Sequence, residues 1–266
     1  MGRIGRIVDL RWAAIRAALL VAALAGVTFT TPVRAEEPKR VLVFGDSNSW
    51  GWTPEPNGFP TVRLKVGERW PDVMAKRLGA GVAVTVDALS GRTVDVSYPG
   101  PLGTVPGGQL NGLSTLPAAI AREMPLDLVV IMLGTNDLRP DLNRTPEQIA
   151  AGLRGLAETV RGSAGGVLTS YPAPPVLVVV PPYVEDTSRT PISSVMDGSQ
   201  AKSRALMAAV TATFTGTDTP IVDASRFITV HGVDGVHLTR SDHKALGEAL
   251  AGEVSRVLAE APAARR

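Results

Sequence analysis

The chain contains no cysteine. That excludes disulfides, a thiolate nucleophile and Cys-ligated zinc, but leaves the compartment open, because exported proteins need not carry disulfides. Histidine is nearly as scarce. His231, His237 and His243 are spaced by six, with no H-x-H or H-x-x-x-H pair of the kind that holds zinc. No metal and no other cofactor is therefore expected. Neither a P-loop nor a G-x-G-x-x-G follows any strand-like run. No apolar run reaches the roughly 20 residues that span a bilayer. An excess of one charge is missing as well, once the N-terminus is set aside. Residues 1–35 carry Arg3, Arg6, Arg11, Arg16 and Arg34 against Asp9 alone. Without them, 27 basic and 25 acidic residues become 22 and 24, which gives no electrostatic case for a nucleic-acid partner.

What is present suits one globular domain. The chain has 266 residues, with 44% hydrophobic and 20% charged residues, enough for a full α/β core. It begins with four arginines within Met1–Arg16, an apolar run from Ala17 to Val27, and Val33-Arg34-Ala35. This is the order of a secretory signal with a small-residue cleavage site, so cleavage is expected before Glu36. No Arg-Arg pair lies within the segment and no Cys follows it, so neither twin-arginine export nor a lipid anchor is expected. The expected organisation is a signal peptide over 1–35, a linker over 36–40, one domain over 41–260 and a tail over 261–266. The mature protein is expected in the periplasm or outside the cell, with no stable membrane anchor.

Within the domain, short apolar runs alternate with amphipathic ones. Val41–Phe44 is apolar, Val-rich and too short for a helix, so it reads as a buried strand ending at Gly45. Further strands are expected over Gly81–Ala88, Asp127–Leu133, Val176–Val180 and Pro220–Asp223. Helices are expected over Trp70–Leu78, Leu113–Glu123, from the Thr145 cap to Arg161, over Gln200–Phe214, and from a Ser241 cap to Leu258. Tyr98–Gly112 and residues 183–198 read as long loops, a class that is usually functional. The alternation argues an α/β fold with a parallel sheet and helices on both faces.

Ligands of such sheets bind beyond the carboxyl ends of the strands. Ser47 stands two residues past the first strand, where its hydroxyl is a candidate nucleophile that needs a base and donors for negative charge. Of the three histidines, His237 follows Asp234 by three, across an Asp-Gly turn that can hold the carboxylate on the imidazole. His231 shares the loop but has no acid three residues before it, and His243 falls within the last helix, where a solvated ring is the ordinary outcome. Gly91, after the second strand, and Asn136, after the third, lie at the same edge as Ser47. The N–H groups of Ser47 and Gly91 and the amide of Asn136 are therefore candidate oxyanion donors. Ser199-x-x-Lys202 and Ser241-x-x-Lys244 match a β-lactamase pattern, but no Lys-Thr-Gly follows, and the G-x-S-x-G elbow is absent around Ser47.

The blocks Gly45-Asp46-Ser47, Ser90-Gly91, Gly134-Thr135-Asn136-Asp137 and Asp234-Gly235-Val236-His237 resemble those of the SGNH (GDSL-type) hydrolases. The resemblance spans about residues 40–258 and is nearest to the bacterial arylesterase and acyltransferase branch. Ser49-Trp50-Gly51-Trp52, Arg92-Thr93, Tyr171-Pro-Ala-Pro and Val180-Pro-Pro point there. It implies a three-layer α/β/α sandwich with a central, mostly parallel five-stranded sheet of flavodoxin-like order. It implies Ser47 as nucleophile, His237 as base, Asp234 as its partner, and Ser47, Gly91 and Asn136 as oxyanion donors. Asn48 stands where the family usually has an apolar residue, and Ala88 where many of this branch have Gly. Asn48, Trp50, Trp52 and Arg92 are expected to contact the substrate, with Trp50 and Trp52 narrowing the pocket.

The expected activity is an exported serine esterase acting on short-chain, acetyl-type carboxylic and aryl esters through an acyl-enzyme, with acyl transfer to alcohols as a side reaction. The alternatives keep the site and change the substrate: O-acetyl groups on cell-wall or exopolysaccharide sugars, lysophospholipids, or thioesters. A non-catalytic protein on this fold is the remaining class. The expected partner is a small-molecule ester, and the resemblance also implies assembly into homo-oligomers.

Overall fold

The computed structural model describes residues 37–230 and 233–260. The expected leader, its cleavage point, the C-terminal tail and His231 lie outside these residues. Five strands form one all-parallel sheet: β1 (Lys39–Gly45), β2 (Val82–Ala88), β3 (Leu128–Met132), β4 (Val176–Val180) and β5 (Ile221–Asp223). Their order is β2-β1-β3-β4-β5, the flavodoxin-like winding. The chain moves outward from β1 in both directions, so the crevice between β1 and β3 is the topological switch point.

The helices are α1 (Ser47–Trp50), α2 (Trp70–Leu78), α3 (Gly112–Glu123), α4 (Pro146–Arg161), α5 (Ser193–Met196), α6 (Ser199–Thr213) and α7 (Arg240–Glu260). Side chains alternate across a strand, and both faces of this sheet are covered, so its inner strands are apolar throughout. Leu42, Phe44, Val129, Ile131 and Val178 pack against α3, α4 and α6. Val41, Val43, Leu128, Val130 and Val179 point the other way, against Trp70 and Met74 of α2 and Leu246 and Leu250 of α7. The edge strand β2 shows the half-exposed alternation expected of Val82, Val84 and Val86. Among the described residues, no helix is long and apolar enough to cross a membrane.

Two local expectations change. The last helix is not capped by Ser241. Thr239 Oγ1 accepts the Asp242 N–H at 3.3 Å and Asp242 Oδ2 accepts the Thr239 N–H at 2.9 Å, a reciprocal cap that starts the helix at Arg240. Both long loops carry structure: a 3₁₀ turn over Gly107–Leu110 and a Leu102–Val105 bridge in the first, and α5 in the second. The Ser-x-x-Lys pair at the start of α6 has packing roles. Ser199 is buried and donates to the Leu138 carbonyl, and Lys202 reaches the carbonyls of Arg139 and Arg144.

Candidate active site

The register of the sheet sets the site. Gly45 pairs with both Ala88 and Met132, so β1, β2 and β3 end level with one another. Ser47 therefore opens α1 beside the turns that hold Gly91 and Asn136. As the first residue of a four-residue helix, Ser47 has a backbone N–H with no acceptor inside the helix. Asp46 caps this helix by accepting the Asn48 N–H at 2.9 Å.

Ser47 Oγ lies 3.1 Å from His237 Nε2. His237 Nδ1 lies 2.7 Å from Asp234 Oδ2. The other carboxylate oxygen, Asp234 Oδ1, accepts the backbone N–H groups of Val236 and His237 at 2.9 and 2.8 Å. One carboxylate thus shapes the turn and holds the ring. All three residues are buried. Burial pushes the Asp234 carboxyl up, but His237 and the two backbone N–H groups outweigh it and hold the carboxyl below its ordinary range. An ionised Asp234 favours the tautomer with hydrogen on Nδ1, which leaves Nε2 free to accept the proton of Ser47.

The neighbouring turns are bonded to the nucleophile's strand and to each other. Arg92 Nη1 donates to the Gly45 carbonyl at 3.0 Å, and Asn136 Nδ2 donates to the Arg92 carbonyl at 3.0 Å. Asp137, fully buried, accepts the Val94 N–H at 2.9 Å. Asn136 retains a second amide hydrogen, and Gly91 adopts a left-handed φ of 85°. The Tyr98 hydroxyl donates to the Gly91 carbonyl. Leu102, 43% exposed, lies so close to Gly91 that a Cβ there would fall 2.4 Å from its Cδ2. Tyr98 and Leu102 come from the loop after β2, and local pattern gave no sign that they return to Gly91.

The four expected substrate contacts separate. Trp52 stands edge-on to the His237 ring, with centroids 5.3 Å apart. Trp50 is half-buried and lies under the Arg63 guanidinium, 4.4 Å from its ring centre, so it faces that side chain. Asn48 and Arg92 are engaged within the fold. Asn48 is 1% exposed and both ends of its amide bond the backbone of the His237 turn. Arg92 is 5% exposed; it lies over the Phe44 ring, bonds Gly45 and Asp87, and so ties β2 to β1. In both, the polar groups bond neighbouring parts of the fold. His243 is a correction, since it is fully buried and Nδ1 accepts the Trp70 N–H at 3.1 Å. Among the described residues, no group of three His, Asp or Glu side chains could hold a metal ion.

Ser47 Oγ, within hydrogen-bond reach of the His237 ring, is placed to act as a nucleophile with His237 taking its proton. Comparison with known proteins points the same way. The model of the GDSL-like lipase/acylhydrolase family matches residues 43–245. Among solved structures, an aryl esterase from M. smegmatis is 43% identical, with a TM-score of 0.77, over 82% of this chain and 99% of that one. Est24, a carbohydrate acetylesterase from Sinorhizobium meliloti, is 38% identical with a TM-score of 0.76, over 82% and 99%. Another carbohydrate acetylesterase family member from the same organism is 28% identical with a TM-score of 0.75, over 83% and 99%. No curated protein matches the chain.

Proposed function

The chain belongs to the GDSL-like lipase/acylhydrolase family and is a serine carboxylic ester hydrolase, and we propose that Ser47 is its nucleophile and short acetyl-type and aryl esters its substrates. The observation that carries the reading is the unbroken bonded series from Ser47 Oγ through His237 to Asp234. Ser47 Oγ attacks the ester carbonyl carbon, and its proton passes to His237 Nε2. The carbonyl oxygen, now negative, is met by the Ser47 and Gly91 N–H groups and the free amide hydrogen of Asn136. Such donors lower a barrier by several kcal/mol, about 3 for one of them. As the tetrahedral centre collapses, the C–O bond to the leaving alcohol breaks and His237 returns the proton to that oxygen. Water then attacks the acyl-Ser47 carbonyl, losing its proton to His237, and the acid leaves with Ser47 restored. An alcohol in place of water gives acyl transfer.

The aryl esterase likeness supports aryl esters. Trp52 beside the His237 ring supports a small acyl group, because it occupies space next to the base. A second reading, O-deacetylation of carbohydrate, is supported by the likeness to Est24. Comparing kcat/KM for nitrophenyl esters of rising acyl length, acetylated sugars, a lysophospholipid and a thioester decides between them. The first reading expects nitrophenyl acetate to lead and long chains to fail. Preference for an acetylated sugar moves the assignment to the second, and preference for a long chain overturns both.

We also propose export, on the strength of the arginine-rich, apolar and small-residue order of residues 1–35. A mature N-terminus at Glu36, read by mass spectrometry, is the expected result. Assembly into a homo-oligomer belongs to the same reading, and sizing in solution tests it.

A further inference from the structure

Asn48, directly after the Gly45-Asp46-Ser47 block, stands where the family usually has an apolar residue, and its side chain is fully engaged. Nδ2 donates to the Val236 carbonyl at 3.2 Å, and Oδ1 accepts the Leu238 N–H at 3.2 Å. These two backbone groups flank His237. The amide therefore pairs with the outer edge of the His237 backbone as a neighbouring strand would, while Asp234 Oδ1 accepts the His237 N–H itself. No other described residue bonds the Val236 carbonyl or the Leu238 N–H. Asn48 is also the residue directly after Ser47, and its own N–H is fixed by Asp46 Oδ1.

We propose that Asn48 is a positioning residue for the base: one side-chain amide measures the His237 turn against the backbone of the nucleophile, and so sets the distance between Ser47 Oγ and His237 Nε2. Residues 47 and 237 are 190 positions apart, and the other direct bond between α1 and this turn is the one between the two reacting groups themselves. Asp234 orients the ring from within the turn but cannot place the turn relative to Ser47. Asn48 does that. The side chain must both donate and accept. A Leu of similar shape leaves a buried carbonyl and a buried N–H unpaired, which costs enough for the turn to move toward other partners. An Asp keeps the acceptor and sets a carboxylate against the Val236 carbonyl. In each case the Asp234–His237 bond survives and the Ser47–His237 distance does not. A misplacement of about 1 Å at such a step costs on the order of 100-fold.

The inference rests on the reading of Ser47 and His237 as nucleophile and base. Its test compares wild type, Asn48→Leu, Asn48→Asp and Ser47→Ala on nitrophenyl acetate, and titrates competent sites with a fluorophosphonate followed by mass spectrometry. In Asn48→Leu, kcat and the rate of Ser47 labelling should fall by about 10- to 100-fold, with KM within about threefold of wild type and nearly every molecule finally labelled. A wild-type kcat, a change in KM alone, or fewer competent sites each turning over at the wild-type rate overturns the proposal. If Asn48→Leu does not fold, Asn48→Asp decides by the same criteria, with at least a severalfold fall in kcat expected. Hydrolysis retained by Ser47→Ala sinks the reading of the site itself, whereas a dead Ser47→Ala beside a fully active Asn48→Leu sinks only the role of Asn48.

Discussion

The Tyr98 hydroxyl donates to the Gly91 carbonyl at 3.0 Å, tying the loop after β2 to the turn that carries a proposed oxyanion donor. Burial pushes the Tyr98 phenol up to about 12, so it remains a donor across the working pH range. Its ring lies under the Arg139 guanidinium, which holds it in place. Tyr98→Phe keeps the ring and removes the bond. One such bond contributes about 1 kcal/mol, so kcat on nitrophenyl acetate should fall about 3- to 10-fold, with KM within about twofold. An unchanged kcat shows that the Gly91 turn holds its geometry without Tyr98.

Gly91 and Gly235 should differ in their tolerance of a methyl group, although both have positive φ, at 85° and 75°. A Cβ at 91 meets the tip of Leu102, a partly exposed side chain that can turn away. A Cβ at 235 falls 2.6 Å from the Asp186 carbonyl, which is backbone and is held by the adjacent Glu185–Gly235 bond. Gly91→Ala should therefore cost about the 1–2 kcal/mol of a left-handed residue, and Gly235→Ala clearly more, because the turn between Asp234 and His237 must open. Urea unfolding of both variants measures this, and equal losses contradict it.

Asp137 should make the fold less stable as pH rises through the weakly acidic range. Burial raises its carboxyl from an ordinary 3.8 to about 7, against the Val94 N–H and Arg144, which pull it down. Between these values the folded state holds a proton that the unfolded state has lost, so stability falls as pH rises and levels off above about 7. Asp137→Asn keeps an acceptor for Val94 and removes the ionisation. From pH 4.5 to 8, wild type should lose on the order of 1–4 kcal/mol relative to this variant. Parallel stabilities at the two pH values contradict the account.

His243 acts in the opposite direction. Burial, with Arg69 and His237 nearby, lowers its ring from 6.5 to about 3, and its Nδ1 must be unprotonated to accept the Trp70 N–H. The unfolded state therefore gains a proton first as pH falls below about 6.5, and stability declines until about pH 3. His243→Asn preserves an acceptor near the position of Nδ1. It should be less stable than wild type at pH 8, through lost packing, yet decline less between pH 6.5 and 4. Calorimetric scans across that range test this, and an equal decline in both proteins rules it out.

The inner strands could be read from the sequence because burial on both faces leaves an unbroken mark, as in Val176–Val180. The level ends of β1, β2 and β3 and the bonded pair of Asp234 and His237 could be anticipated, because parallel strands bring their ends to one edge and a tight turn sets the carboxylate on the ring. What could not be read was the direction of polar side chains. Asn48 and Arg92 looked like groups for a substrate, yet both turn inward to satisfy backbone 188 and 47 residues away. Tyr98 and His243 were missed for the same reason. Their partners, Gly91 and Trp70, are set by packing between elements, which leaves no periodic trace in the local sequence. The Thr239 cap was legible in principle, as Thr followed three residues later by Asp.

The central claim is that Ser47, driven by His237, forms the acyl-enzyme. The direct measurement is intact-protein and peptide mass spectrometry after a fluorophosphonate, run beside nitrophenyl acetate hydrolysis by wild type, Ser47→Ala and His237→Ala. One adduct per chain should form, on the peptide containing Ser47, in step with the loss of activity. Ser47→Ala should take up none, and both variants should lose at least about 10⁴-fold in kcat while remaining folded. An adduct on another serine, or hydrolysis that survives in folded Ser47→Ala, would contradict it.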